Sequence, residues 1–124
     1  MLLLFSHKLT DSQREDAKEN WGVDEFVVLP KQLQELWSNI DPNLSSICNI
    51  LQPVRDFMEE EANIGDIVLV QGDFGACCIL ANFAKERNLT AVYATTNRTV
   101  KEYTENNKNI KKSIFEHKRF RRYE

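Results

Sequence analysis

Residues 67–82 read IVLVQGDFGACCILAN. An apolar, mostly β-branched run, Ile67-Val68-Leu69-Val70, meets Gln71-Gly72-Asp73-Phe74-Gly75, and small side chains follow at once. A short continuous apolar run bounded by glycine is the pattern of a strand buried on both faces. The small residues from Ala76 suit a helix packed close to that strand, running to about Arg87, with Asn88 able to end it in a left-handed conformation. A strand, a glycine turn and a helix in that order make the repeating unit of a parallel α/β sheet.

Working outward, the same unit recurs. Leu2 to Phe5 is a first apolar strand, and Thr10-Asp11-Ser12-Gln13 is a capping-box pattern that opens a mostly polar helix to about Asn20. Glu25 to Leu29 is a second strand. Pro30 fits the first position of a helix whose Leu33, Leu36, Trp37 and Ile40 form one apolar stripe, broken by Asp41-Pro42-Asn43. A further helical pattern runs from Ile47 toward Ala62 with Pro53 inside it, which predicts a kink or two helices. The third strand is Asp66 to Gln71 and the fourth Thr90 to Ala94. TVKEYT (99–104) and IKKSIFEHKRFRRY (110–123) then flank ENNKN as an antiparallel hairpin. The expected architecture is one α/β domain over residues 1–124. It has a doubly wound, mostly parallel core (1–96) in strand order 2-1-3-4, with helices on both faces, and a hairpin (97–124) at one edge.

Charge divides at the same boundary. The formal net charge is −3, yet residues 97–124 carry nine basic and four acidic side chains, a net of +5, on a body of net −8. Such a basic end fits a local anion-binding surface or a solvated lysine-rich hairpin. Three cysteines, Cys48, Cys77 and Cys78, show no zinc or disulfide spacing and point to a reducing compartment, with small-hydrophobe behaviour for the adjacent pair. The opening MLLLFSHK is too short for a signal peptide, and no apolar run approaches the roughly 20 residues that span a bilayer. A cytoplasmic chain without membrane contact is expected.

In a doubly wound sheet, ligands bind at the carboxyl ends of the strands where the winding reverses. Ser6-His7-Lys8 and Gly72-Asp73-Phe74-Gly75 are expected to meet there, with Thr95-Thr96-Asn97-Arg98 one strand along. The two glycines and the helix start behind them suit either an anion cradle or a tight turn with close packing. Asp73 suits a helix cap or a ribose hydroxyl. His7 is either a proton-transfer group near neutral pH or polar surface. ATTNR offers hydroxyls, an amide and a guanidinium, or else a polar turn. An extended Phe115–Tyr123 places Phe115, His117, Arg119, Arg121 and Tyr123 on one face, as in a nucleotide-stacking surface or a charged edge strand. No metal-binding cluster and no nucleophile elbow is found, which favours chemistry without metal or cofactor.

Five segments in register, LLLFSHKLT, LWSNI, VLVQGDFGA, VYATTNR and FEHKRFRRY, cover nearly the whole chain. Together they resemble small CRISPR-associated proteins of the Csx series, the type numbered twenty, related to the Rossmann-like CARF domains. The resemblance implies a CARF-like fold, a homodimer, and a cyclic oligoadenylate as ligand, cyclic tetra-adenylate first, with no DNA partner. It implies either a metal-independent ring nuclease, which switches type III CRISPR signalling off, or a sponge that holds the messenger uncut. On that reading Ser6, His7 and Arg119 serve the scissile phosphate. Gly72, Asp73, Phe74 and Gly75 hold ribose and backbone. Lys8, Thr95, Thr96, Arg98, His117 and Arg121 line the remaining ligand. A metabolic nucleotide enzyme on a similar sheet is the rival of a different class, and RNA binding by the basic hairpin is a further one.

Overall fold

In the computed structural model, which describes residues 1–124, the apolar runs form a five-stranded sheet. β1 (Leu2–Leu4) leads through α1 (Asp11–Trp21) to β2 (Val27–Val28). Next come α2 (Lys31–Ser38), a 3₁₀ turn (Asn49–Leu51) and α3 (Gln52–Glu61). β3 (Ile67–Val70), α4 (Phe74–Glu86), β4 (Thr90–Glu105) and β5 (Lys108–Arg122) complete the chain. The strand order is β2-β1-β3-β4-β5; the first four are parallel and β5 runs antiparallel to β4. The protein is therefore α/β with a mixed sheet; the order 2-1-3-4 is as expected, with β5 added antiparallel beyond β4.

Alternation along the strands explains why both faces carry helices. Leu2, Leu4, Val68, Val70 and Ala91 point to one side, into a core shared with Trp37 of α2, Val54 and Met58 of α3, and Leu80 of α4. Leu3, Leu69, Val92 and Phe120 point to the other, where Ala17 of α1 covers them. With about 25 cal/mol per Å² of apolar surface removed from water, these two layers supply the main favourable term in folding.

Local signals set most boundaries. Thr10 and Gln13 form the reciprocal capping box of α1, and Gly22 ends it in a left-handed conformation at φ 64. Pro30 is the residue before α2 rather than its first position. The expected break around Pro53 is real: the 3₁₀ turn precedes it and the proline sits in the first turn of α3, where no amide is missed. Asn88 has φ 59 just after α4, as read from the sequence.

Two expectations are corrected. The fourth strand does not stop at Ala94, and Thr95–Arg98 is no turn; β4 continues to Glu105 and is itself the first strand of the hairpin. No glycine or proline interrupts ATTNRTV, and its threonines and valine favour extended backbone. Asn106 and Asn107, at φ 51 and 61, make the two-residue turn whose twist suits a hairpin. The parity expected for Phe115–Tyr123 also fails. A register shift between Thr95 and Thr96 pairs Thr95 with Arg119 but Thr96 with His117, leaving Lys118 as an extra residue. The bulge turns His117 to the α1 side, beside Phe120, while Tyr123 packs with the opposite core.

Candidate functional site

Adjacent pairing of β1 and β3, with Leu4 opposite Val70, brings the segments after both strands to one rim. The carboxyl-terminal part of α2 stands between them. Gln34 donates to the Phe5 carbonyl at 2.9 Å, the Ser38 hydroxyl to that of Ser6 at 3.1 Å, and the Trp37 indole to the Gln71 carbonyl at 3.1 Å. The rim therefore holds two hollows, on either side of this bridge.

The glycines answer to that bridge. A Cβ on Gly72 would lie 2.9 to 3.2 Å from the buried Trp37 ring, and one on Gly75 would lie 3.3 Å from Ile47 Cδ1. Neither glycine adopts positive φ. Asp73 caps α4, its Oδ2 accepting from the Ala76 amide at 3.0 Å. Of the two readings of Gly72–Gly75, the structure shows the tight turn with close packing and Asp73 as the helix cap: indole fills the space above the first glycine, and the chain's own carboxylate occupies the helix start where a phosphate cradle would lie. Phe74 instead projects from the turn, 95% exposed.

The first hollow, about 540 Å³, opens between α4, the first part of β4 and the residues just after β5. Small residues of α4, Cys77 and Ala81, leave its floor low, and Tyr93 and Tyr123 form the far wall. The two tyrosine rings meet edge to face with centroids 5.0 Å apart. The Arg121 guanidinium lies 5.5 Å over the Tyr93 ring and donates to its hydroxyl at 3.1 Å. Lys85 adds a second cation at the margin. The Tyr123 hydroxyl donates to the Val70 carbonyl. Burial, foremost, pushes both the Cys77 thiol and the Tyr123 phenol above their ordinary values. Both stay protonated at neutral pH, so neither adds negative charge to this hollow, which can stack a ring and pair with an anion.

The second hollow, about 500 Å³, holds Ser6, His7 and Lys8 together with Arg14 and Lys31, and with Glu35 as the one acid. The His7 ring stands edge-on to Phe5, centroids 5.5 Å apart. Hydroxyl, imidazole and three cations in one concavity can hold a phosphate and exchange a proton with it.

The remaining candidates lie elsewhere. The Thr95 hydroxyl is used within the bulge, donating to the Arg119 carbonyl at 3.0 Å and accepting from its amide at 3.2 Å. Arg119 lines a groove with Asp16 and Trp21, away from both hollows. Thr96 and His117 border the start of α1. Arg98 lies out on the hairpin, its guanidinium 6.0 Å from the Phe115 ring centroid and bonded to Ser113. His117, with only 4% of its side chain exposed, bonds Asp16 Oδ2 through Nε2 at 2.7 Å. That carboxylate also accepts from the Phe120 amide at 3.3 Å and from Asn20 at 2.7 Å. Burial raises the Asp16 carboxyl, but the hydrogen bonds from Asn20 and His117, the His117 charge and the Phe120 amide outweigh it and hold it below its ordinary value. His117 is thus a strut between α1 and β5, which corrects its expected place on a ligand-facing surface with Arg119 and Arg121.

Sequence reasoning missed Tyr93, Lys85, Arg14 and Lys31. Tyr93 had a usable signal, because it alternates with the buried Val92 and must face α4. The three cations had none, since their meeting depends on helix placement.

A family model described as the uncharacterized protein MJ1673 family matches residues 1–121. The chain belongs to the MJ1673 family. A relative from Methanocaldococcus jannaschii, described as uncharacterized protein MJ1673, is 52% identical over 123 residues, 99% of this chain and 95% of its own. No solved structure matches the chain. No helix is long and apolar enough to cross a membrane. The MJ1673 descriptions state no ligand or activity, so the functional reading rests on the two rim hollows and on the resemblance of the five sequence segments.

Proposed function

We propose that this MJ1673-family protein binds a cyclic oligoadenylate, cyclic tetra-adenylate first, along the rim of a Rossmann-like, CARF-like sheet and opens the ring without metal. The observation that carries the binding half is the aromatic hollow. Tyr93 and Phe74 offer π-faces beside Lys85 and Arg121, the combination on which bases stack while phosphates pair. Two copies of the chain would offer two such hollows to one ring, in keeping with the expected homodimer.

For cleavage, the neighbouring hollow supplies the chemistry. The ribose 2′-oxygen forms a bond to the adjacent phosphorus as the phosphorus–5′-oxygen bond breaks. The 2′-proton passes to a base, the leaving 5′-oxygen takes one up, and a linear product with a 2′,3′-cyclic phosphate results. Holding attack in line and moving these protons are tasks for Lys8, Arg14 and Lys31 as anion clamps and for His7 as the proton-transfer group. One observation favours the second reading, a sponge that holds the ring uncut: His7 and Arg119, both assigned to the scissile phosphate, line separate concavities.

Labelled cyclic tetra-adenylate incubated with the full chain in EDTA separates the readings. Linear 2′,3′-cyclic phosphate products support the nuclease, intact ring retained on the protein supports the sponge, and absence of binding removes both. Tyr93→Ala should weaken binding about tenfold or more through lost stacking. His7→Ala should slow turnover about a hundredfold with binding kept; full turnover in that variant removes its role.

A further inference from the structure

The outer half of the hairpin, Asn97–Glu105 with Lys108–Glu116, is a two-stranded arm. The start of α1 lies against its base, where Thr10, Ser12 and Gln13 share a hollow with Phe115 and His117. Further out its side chains are exposed, apart from the half-buried Ile110 and Ile114. A free two-stranded ribbon is at best marginal in water. The register makes this one worse. On one face Thr99 stands opposite Ile114, Lys101 opposite Lys112, and Tyr103 opposite Ile110. Like charges directly across a strand pair repel, and here two ammonium groups are framed by aliphatic and aromatic side chains that the arm's own body leaves open.

A partner for this face must bring carboxylates and some apolar surface. The chain itself carries both. Residues 1–96 have a net charge of −8 against +5 for residues 97–124. Asp11, Glu15 and Glu19 recur at four-residue spacing on exposed positions of α1, an arrangement that repels itself within one helix. We infer that the arm docks through its Lys101–Lys112 face on the acidic body of a second copy, each copy giving an arm and receiving one.

Size supports reciprocity. An arm roughly 30 Å long and about 10 Å wide presents on the order of 300 Å² per face. A stable interface takes about 800 Å² from each partner, so one arm falls well short and an exchanged pair comes close. Docking uses the face rather than the open edge, because Lys108, Lys111, Lys118 and Arg122 along β5 discourage a further strand. Nucleic acid fits less well, since a polyphosphate meets Glu102, Glu105 and Glu116 on the arm and the acidic body behind it. This inference does not depend on the messenger, and its test contains none.

Sedimentation equilibrium of the full chain, at low and high salt, reads it directly. A dimer is expected that dissociates more readily as salt rises. Lys101→Glu with Lys112→Glu keeps the like-charge pair and so the arm's own stability, but should raise the dimer dissociation constant about tenfold or more. A single Lys112→Glu, which gives the arm an internal ion pair, should also weaken the dimer. A chain monomeric at every concentration overturns the inference, as does a dimer that the double reversal leaves intact or that salt tightens. A monomer that changes mass only when RNA or DNA is added overturns it in favour of that partner.

Discussion

His117 to Arg122 and Asn109 to Phe115 belong to one strand, share one partner strand and have similar composition, yet the first segment is rooted and the second is free. Phe120 is fully buried against Leu3, Leu69 and Val92, and His117 is held by Asp16. Phe115, five residues earlier, is 65% exposed. Propensity does not separate them, because both segments are extended and rich in charge. What separates them is reach, because all three side chains fall on one side of the sheet: Phe120 pairs with Ala94, next to the part of β4 that β3 flanks, whereas Phe115 pairs with Arg98 beyond it. A strand extends the core only as far as neighbouring elements reach to cover the side its apolar groups face.

The largest expected effect tests that contrast directly. Phe120→Ala should cost about 3–5 kcal/mol, because a ring with no exposed surface leaves a cavity among close-packed side chains. Phe115→Ala should shift stability by less than about 0.5 kcal/mol. Paired urea titrations measure both. Equal losses would mean that the arm is part of the cooperative core.

The next effect concerns what holds the root in place. Asp16→Ala strips His117 and the Phe120 amide of their acceptor and should cost about 2–3 kcal/mol. The same carboxyl predicts an acid limit. Its folded value is depressed, so its contribution is fully present above the ordinary value of 3.8 and is lost as pH falls through the folded value below that. Wild type should therefore lose stability below about pH 4 more steeply than Asp16→Asn, in denaturant midpoints taken at stepped pH. Parallel pH curves would show that the pair carries no linkage.

These contrasts also mark what could be read from residues alone. The strand order and the caps at Thr10 and Asn88 were legible, because each follows from local rules such as apolar runs, hydroxyl spacing and glycine or asparagine conformations. The segment from Thr95 to Arg98 was misread because polarity suggests a turn, whereas threonine backbone geometry favours continuation. His117 was misread because strict alternation was assumed across a bulge that has no residue signature. For the candidate site, proximity of Ser6 and Gly72 followed from strand order. The Trp37 bridge that divides their rim did not, since it depends on the angle at which α2 crosses the sheet.

The smallest effect sharpens the same lesson at the glycines, which a sequence presents as equals. Gly72→Ala must displace a buried indole ring that its Cβ would meet at 2.9 Å, and rigid neighbours yield poorly. A loss of about 1–3 kcal/mol is expected, together with altered tryptophan fluorescence from Trp37. Gly75→Ala meets the end of Ile47, a flexible side chain that can turn aside, and the Asp73 carboxylate at ordinary contact distance, and it gains helix propensity worth up to about 1 kcal/mol in the first turn of α4. Its net effect should lie within about 1 kcal/mol of zero. If instead Gly75→Ala were the damaging change and Gly72→Ala the silent one, the space above Gly72 would not be filled by Trp37, and the rim would be a single open cleft for a ligand rather than two hollows parted by α2.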